Sequence, residues 1–135
     1  MNNLPRSVSC PVELSLILIS GKWKPVILAH LKERPLRYGE LRKLVPRLSE
    51  KMLTQRLAEL QALGFVARSS RGGAYRLTEK GKTLRPVLQS LYDWGEIQAR
   101  ELGISVSQGQ SLHGAPAASE RGASTEVHRS PLPSR

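Results

Sequence analysis

Between residues 50 and 63, Leu53, Leu57 and Leu60 fall at i, i+4 and i+7, which predicts a helix with one apolar stripe turned inward. Its other side carries Ser49, Lys51, Thr54, Gln55 and Ala58, all polar or small. Ser49 is placed to cap this helix, Glu50 faces the positive end of its dipole, and Gly64 is placed to end it in the left-handed region. Just upstream, Leu41, Leu44 and Val45 predict a compact helix over 40–45, opened at Tyr38 or Gly39 and stopped by Pro46. The continuous apolar set Val12, Leu14, Leu16, Ile17, Leu18 and Ile19 reads as a buried helix with Pro11 in its first turn. Gly21 separates it from a second helix, from Trp23 or Lys24 to Lys32, with Val26, Ile27, Leu28 and Leu31 as core residues. Arg34-Pro35 ends that helix, because proline disfavours helical geometry in the residue before it.

Leu36-Arg37-Tyr38 predicts a very short strand. Residues 65–68 and 74–77 predict a hairpin around 69–73, with Gly72-Gly73 supplying positive φ. Thr78 caps a last helix that Gly81 interrupts only weakly. In it Leu84, Val87, Leu88, Leu91 and Trp94 recur at helical spacing, fading near 97–102. Trp23 and Trp94 read as packing anchors. Helix, turn, helix, then hairpin gives an α+β, mainly α, fold: a winged helix-turn-helix with a two-stranded wing. The last helix is longer than such a core needs, so its apolar stripe and the first helix are expected to form a dimerisation surface. One domain is expected over 10–102, after a flexible arm at 1–9 and before a disordered tail at 103–135. From Ser105 onward the chain holds 7 Ser, 3 Gly and 3 Pro among 31 residues, too little apolar surface to order itself.

Charge sharpens the functional reading. The net formal charge is +10, and residues 21–85 carry 16 Lys and Arg against 5 Glu. Such a surface releases counterions from phosphates and gives sequence-independent affinity, for RNA or anionic lipid as well as DNA. Double-stranded DNA is favoured by the outward face of the 50–63 helix. Gln55 suits adenine, Thr54 a thymine methyl, and Lys51 guanine or a phosphate, with Ser49 beside them and Arg56 turned sideways to a phosphate. Arg37, Arg42, Lys43 and Arg47 flank the turn and are expected on phosphates. Arg71 at the wing tip suits the minor groove or its edge, with Arg68 and Arg76 at the hairpin base.

Cys10 precedes Pro11 at an expected helix N-terminus, whose positive end favours a thiolate, and Lys22 or Lys24 is expected near it. The alternative is a half-buried structural thiol. One cysteine excludes an internal disulfide and fits a reducing cytoplasm. No segment approaches the ~20 apolar residues of a membrane span, and no signal-peptide core is evident. His30, His113 and His128 are scattered, and no metal spacing, phosphate loop or paired acid and base appears. No cofactor and no enzyme activity are expected.

The chain resembles the HxlR-type winged helix-turn-helix transcriptional regulators of bacteria over about 10–95. The resemblance rests on Cys10-Pro11-Val12-Glu13, Gly21-Lys22-Trp23, Tyr38-Gly39-Glu40-Leu41, and above all Leu48-Ser49-Glu50-Lys51-Met52-Leu53-Thr54-Gln55-Arg56-Leu57. Tyr75-Arg76-Leu77-Thr78-Glu79-Lys80-Gly81 and Asp93-Trp94-Gly95 complete it. It implies a homodimer on a palindromic operator, regulating neighbouring genes and often answering reactive small molecules. For Cys10 it implies sensing of an oxidant or electrophile. The segment between Arg68 and Tyr75 is shorter than the family's usual wing, and Ser20 stands where a second glycine is typical. A different reading is a non-specific, architectural nucleic-acid-binding protein. Thr54 and Gln55, suited to base edges, favour the operator-binding one.

Overall fold

A computed structural model describes residues 3–107, which form six helices and one two-stranded sheet. The order is α1 (Pro11–Ile19), α2 (Lys24–Glu33), α3 (Tyr38–Leu44), α4 (Glu50–Ala62), β1 (Val66–Arg68), β2 (Tyr75–Leu77), α5 (Glu79–Lys82) and α6 (Arg85–Leu102). The expected tail lies mostly outside the described residues, as do His113 and His128. α6 ends at the left-handed Gly103.

Core leucines come from every central element. Ile27, Leu28 and Leu31 of α2, Leu41 of α3 and Leu53, Leu57 and Leu60 of α4 are buried against Leu36, Leu48, Phe65, Val66, Tyr75 and Leu77. Each such side chain contributes roughly 1.5–3 kcal/mol through burial, so this shared cluster fixes α2, α3 and α4 against the sheet. β1 and β2 pair antiparallel, with Val66 opposite Leu77 and Arg68 opposite Tyr75. Leu36 pairs with the other edge of β2 by exchanging backbone hydrogen bonds with Tyr75 at 3.0 and 2.7 Å, so the short strand expected at 36–38 is a single bridge. Helix, turn, helix and hairpin around one core make this a winged helix-turn-helix.

Four expectations change. α1 is a helix but not a buried one: it reaches the core cluster through Leu18, while Val12, Leu14 and Leu16 are exposed. Val26 is 38% exposed and so outside the core. Trp94 is 62% exposed and joins no core among the described residues, whereas Trp23 packs against the core. Of the two wing glycines only Gly72 takes positive φ; a Cβ on Gly73 would instead come within 2.9 Å of the Ser70 hydroxyl.

The expected last helix is two helices. Pro86 has no amide to continue the ladder from α5, so Thr83 and Leu84 close with tighter bonds to Lys80 and Gly81 before α6 begins. α5 is locked onto the hairpin. Thr78 caps it by accepting from the Gly81 amide at 3.0 Å and donates its own hydroxyl to the Gly64 carbonyl at 2.5 Å. Lys80 donates to the Leu63 carbonyl at 3.0 Å, capping the C-terminus of α4. Gly81 is required by space: a Cβ there would lie 2.1 Å from the Phe65 carbonyl oxygen, which accepts the Thr78 amide. Gly81→Ala is therefore expected to destabilise the fold by about 1–3 kcal/mol, read as a lowered midpoint in thermal or urea unfolding. An unchanged midpoint would show that this junction is not tightly packed.

Candidate nucleic-acid interface

α4 divides cleanly into two sides. Leu53, Leu57 and Leu60 are 0%, 1% and 0% exposed, while Lys51, Thr54, Gln55 and Ala58 are exposed. Ser49 starts the helix by accepting the Met52 amide at 3.1 Å. α3 is tied across the turn by Tyr38, whose hydroxyl stands 3.1 Å from the Glu50 carbonyl and 3.1 Å from Thr54 Oγ1. With the phenol proton given to the carbonyl, the Thr54 hydroxyl is the donor to Tyr38. The pairing of Tyr38 with Thr54 was not foreseen from the sequence, since a contact across 16 positions leaves no periodic signal.

The basic residues fall into two groups. Arg37, Lys43, Arg47, Lys51, Arg71 and Arg76 are exposed. Arg42 and Arg56 are turned inward, against expectation. Arg42 donates to the Leu48 carbonyl and holds the α3–α4 turn. Arg56 donates to the Lys22 carbonyl at 3.1 Å and to Glu59 at 2.6 Å, while Lys24 also pairs with Glu59 at 3.2 Å. Partial burial would raise the Glu59 carboxyl, but bonding and charge from Lys24 and then Arg56 hold it below its usual range. This network ties α4 to α2 and to the turn before it. Arg68 is likewise committed, donating to the Gly73 carbonyl at 3.2 Å and lying over the Tyr75 ring at 4.7 Å. Arg71 keeps the outermost position of the hairpin, where no described residue engages it.

Asn3 and Leu4 of the N-terminal arm line one shallow groove with Gln55 and Ala58, a proximity the sequence did not suggest. Cys10 is exposed and is the N-cap of α1, its Sγ accepting from the Val12 amide at 3.4 Å. The lysines expected near it have other counterparts, Lys22 over the Trp23 ring at 5.9 Å and Lys24 on Glu59.

This geometry agrees with known proteins. The HxlR-like helix-turn-helix family matches residues 18–102. The chain belongs to that family. It is 44% identical over 92 residues to YdeP of Bacillus subtilis strain 168, an HTH-type transcriptional regulator, covering 64% of this chain and 72% of YdeP. Among solved structures it is similar to the redox regulator HypR in its reduced form, with a TM-score of 0.62, 37% identity and coverage of 69% of this chain and 96% of HypR. The quinone-bound YodB of B. subtilis matches with a TM-score of 0.58 and 35% identity, over 64% of this chain and 98% of YodB.

This HxlR-like protein is thus a DNA-binding transcriptional regulator with a winged helix fold, and its relatives are regulators rather than enzymes. No helix among the described residues is long and apolar enough to cross a membrane. The inward position of Arg56 yields a sharp test. Arg56→Ala is expected to lower unfolding stability by about 1 kcal/mol, a figure reduced for partial exposure, and to leave the salt slope of DNA binding as in the parent. Lys51→Ala is expected to do the reverse, with a slope smaller by about 0.9. Fluorescence anisotropy at several salt concentrations, beside urea unfolding, separates them; a reduced slope for Arg56→Ala would make it a phosphate contact.

Proposed function

We propose that this regulator binds a palindromic operator as a homodimer, with the outward face of α4 in the major groove. The observation that carries this reading is the segregation of α4: one side is sealed in the core, and the other offers Lys51, Thr54, Gln55 and Ala58 to solvent. Gln55 reads adenine, Thr54 meets a thymine methyl, and Ser49 and Lys51 lie near the helix N-terminus that enters the groove. Arg37, Lys43 and Arg47 neutralise phosphates beside the turn, and Arg71 and Arg76 do so from the wing. Residues 10–102 act as the binding and dimerising unit in the cytoplasm, with 1–9 and 103–135 as appendages.

Dimerisation is supported by the apolar surface that the described residues leave uncovered. Val87, Leu91, Trp94 and Ile97 line one side of α6, and Val12, Leu14 and Leu16 stand exposed on α1. A two-fold pairing of these faces would set two α4 helices about one DNA turn apart.

Gln55→Ala is expected to relax base preference at one position of each half-site by ~1–3 kcal/mol. Selection from random DNA reads this directly, and an unchanged binding logo would remove α4 from the groove. A non-specific architectural protein would show no logo in the parent either. Leu91→Asp is expected to convert the dimer to a monomer in light scattering and to abolish cooperative binding of the full operator. A dimer that persists would place the interface elsewhere.

A second reading concerns Cys10. Its exposure at the N-terminus of α1, the helix proposed to pair subunits, supports a thiol that senses oxidants or electrophiles. HypR and YodB, known in redox and quinone-bound forms, add to that support. Diamide or benzoquinone treatment is expected to change operator affinity severalfold, and Cys10→Ser to abolish that change. Equal affinity of treated and untreated protein would leave Cys10 a structural cap.

A further inference from the structure

A cleft of about 470 Å³ opens between the end of α2, the wing strand β2 and the α5–α6 junction, away from the outward face of α4. Its volume is in the range that holds a small organic molecule. Arg34, Arg76, Lys82 and Arg85 line it, against the two carboxylates of Glu33 and Glu79. The acids do not balance the cations evenly. Glu33 is paired with Lys32, a residue of the same helix. Arg34 pairs with Glu40 at 3.1 Å, and Lys82 with Glu79 at 2.9 Å.

Arg76 and Arg85 therefore stand beside a carboxylate that Lys82 already holds. The Glu79 carboxyl lies below its usual range because of the Lys82 bond and charge, and Arg85 and Arg76 lower it further. Neither arginine has a hydrogen-bonded acceptor among the described residues. Two guanidiniums, each with a planar fork of donors, thus face one concavity with their bonding capacity unused. The apolar part of the lining is the exposed ring of Pro35, with Leu31 and Leu77, buried in the core, closing the cleft from behind. A groove for a bare phosphate or a DNA strand has no need of such a floor.

We propose that this cleft binds an amphipathic organic anion, its acidic head held by Arg76 and Arg85 and its apolar body against the Pro35 ring. The head is a carboxylate or a phosphate ester, both of which accept two parallel N–H bonds from a guanidinium. Gln55 and Cys10 take no part in this site, whereas Arg76 is shared with the phosphate contacts proposed for the wing.

The test uses the full chain without DNA. ¹⁵N-labelled protein is titrated with phenyl phosphate, benzoate, benzamide and inorganic phosphate, following amide shifts and calorimetric heats. Phenyl phosphate and benzoate are expected to saturate, moving the amides of Arg76, Lys82 and Arg85. Benzamide, with the same ring and no charge, is expected to bind at least about tenfold more weakly. Inorganic phosphate, with charge and no ring, is expected to be weaker by a similar factor. Arg85 is exposed on the first turn of α6, so Arg85→Gln should fold, and it is expected to cost about tenfold in phenyl phosphate affinity. Arg85→Lys is expected to recover part of that loss. Equal binding of benzamide and benzoate, equal binding of inorganic and phenyl phosphate, or an unaltered affinity in Arg85→Gln would each overturn the proposal.

Discussion

The position of the outward face of α4, on which the DNA-binding reading rests, follows from three leucines on the same helix. Leu53, Leu57 and Leu60 are sealed in the cluster that also receives α2, α3 and the sheet. Truncating one such leucine typically costs about 2–5 kcal/mol, whereas a good base contact is worth about 1–3 kcal/mol. The core term is the larger, so α4 cannot roll about its axis to improve a contact. Its outward face is set before any ligand arrives. Lys80 and Thr78 reinforce this at the far end by bonding the Leu63 and Gly64 carbonyls, which stops the helix from lengthening or fraying into the hairpin.

A basic composition overstates how many cations face outward. Arg42, Arg56 and Arg68 satisfy backbone carbonyls at three turns, where their donors act as staples rather than reaching into solvent. Arginine suits that work because its several donors can bridge a carbonyl and a carboxylate together, as Arg56 does with Lys22 and Glu59. The donors of these arginines thus divide between internal fastening and surface contact, and only geometry separates the two.

The order of elements was legible because it rests on local signals. The leucine spacing of α4, the cap at Ser49, the stop at Pro46 and the left-handed Gly64 each act within a few residues, and the structure follows all four. Other features depend on what a residue meets in space. Gly81 looked like a weak interruption, but its role is the close approach of the Phe65 carbonyl, 16 positions upstream in the chain. The apolar run in α1 announced a helix correctly and burial incorrectly, because hydrophobicity records a need for cover without saying which chain supplies it. For the exposed face of α4 the sequence named the residues and set Arg56 to its side; that Arg56 is bound there by Glu59 and the Lys22 carbonyl is a three-dimensional arrangement.

The chain holds two tryptophans in unlike surroundings. Trp23 packs against the core beneath Lys22, whereas Trp94 projects its indole from α6 into water. Indole emission moves to shorter wavelength when the ring leaves water, so the red side of the protein's fluorescence belongs mainly to Trp94. Any association that covers α6 will therefore announce itself as a blue shift on concentration, with no dye attached. The molecule carries its own optical gauge of assembly.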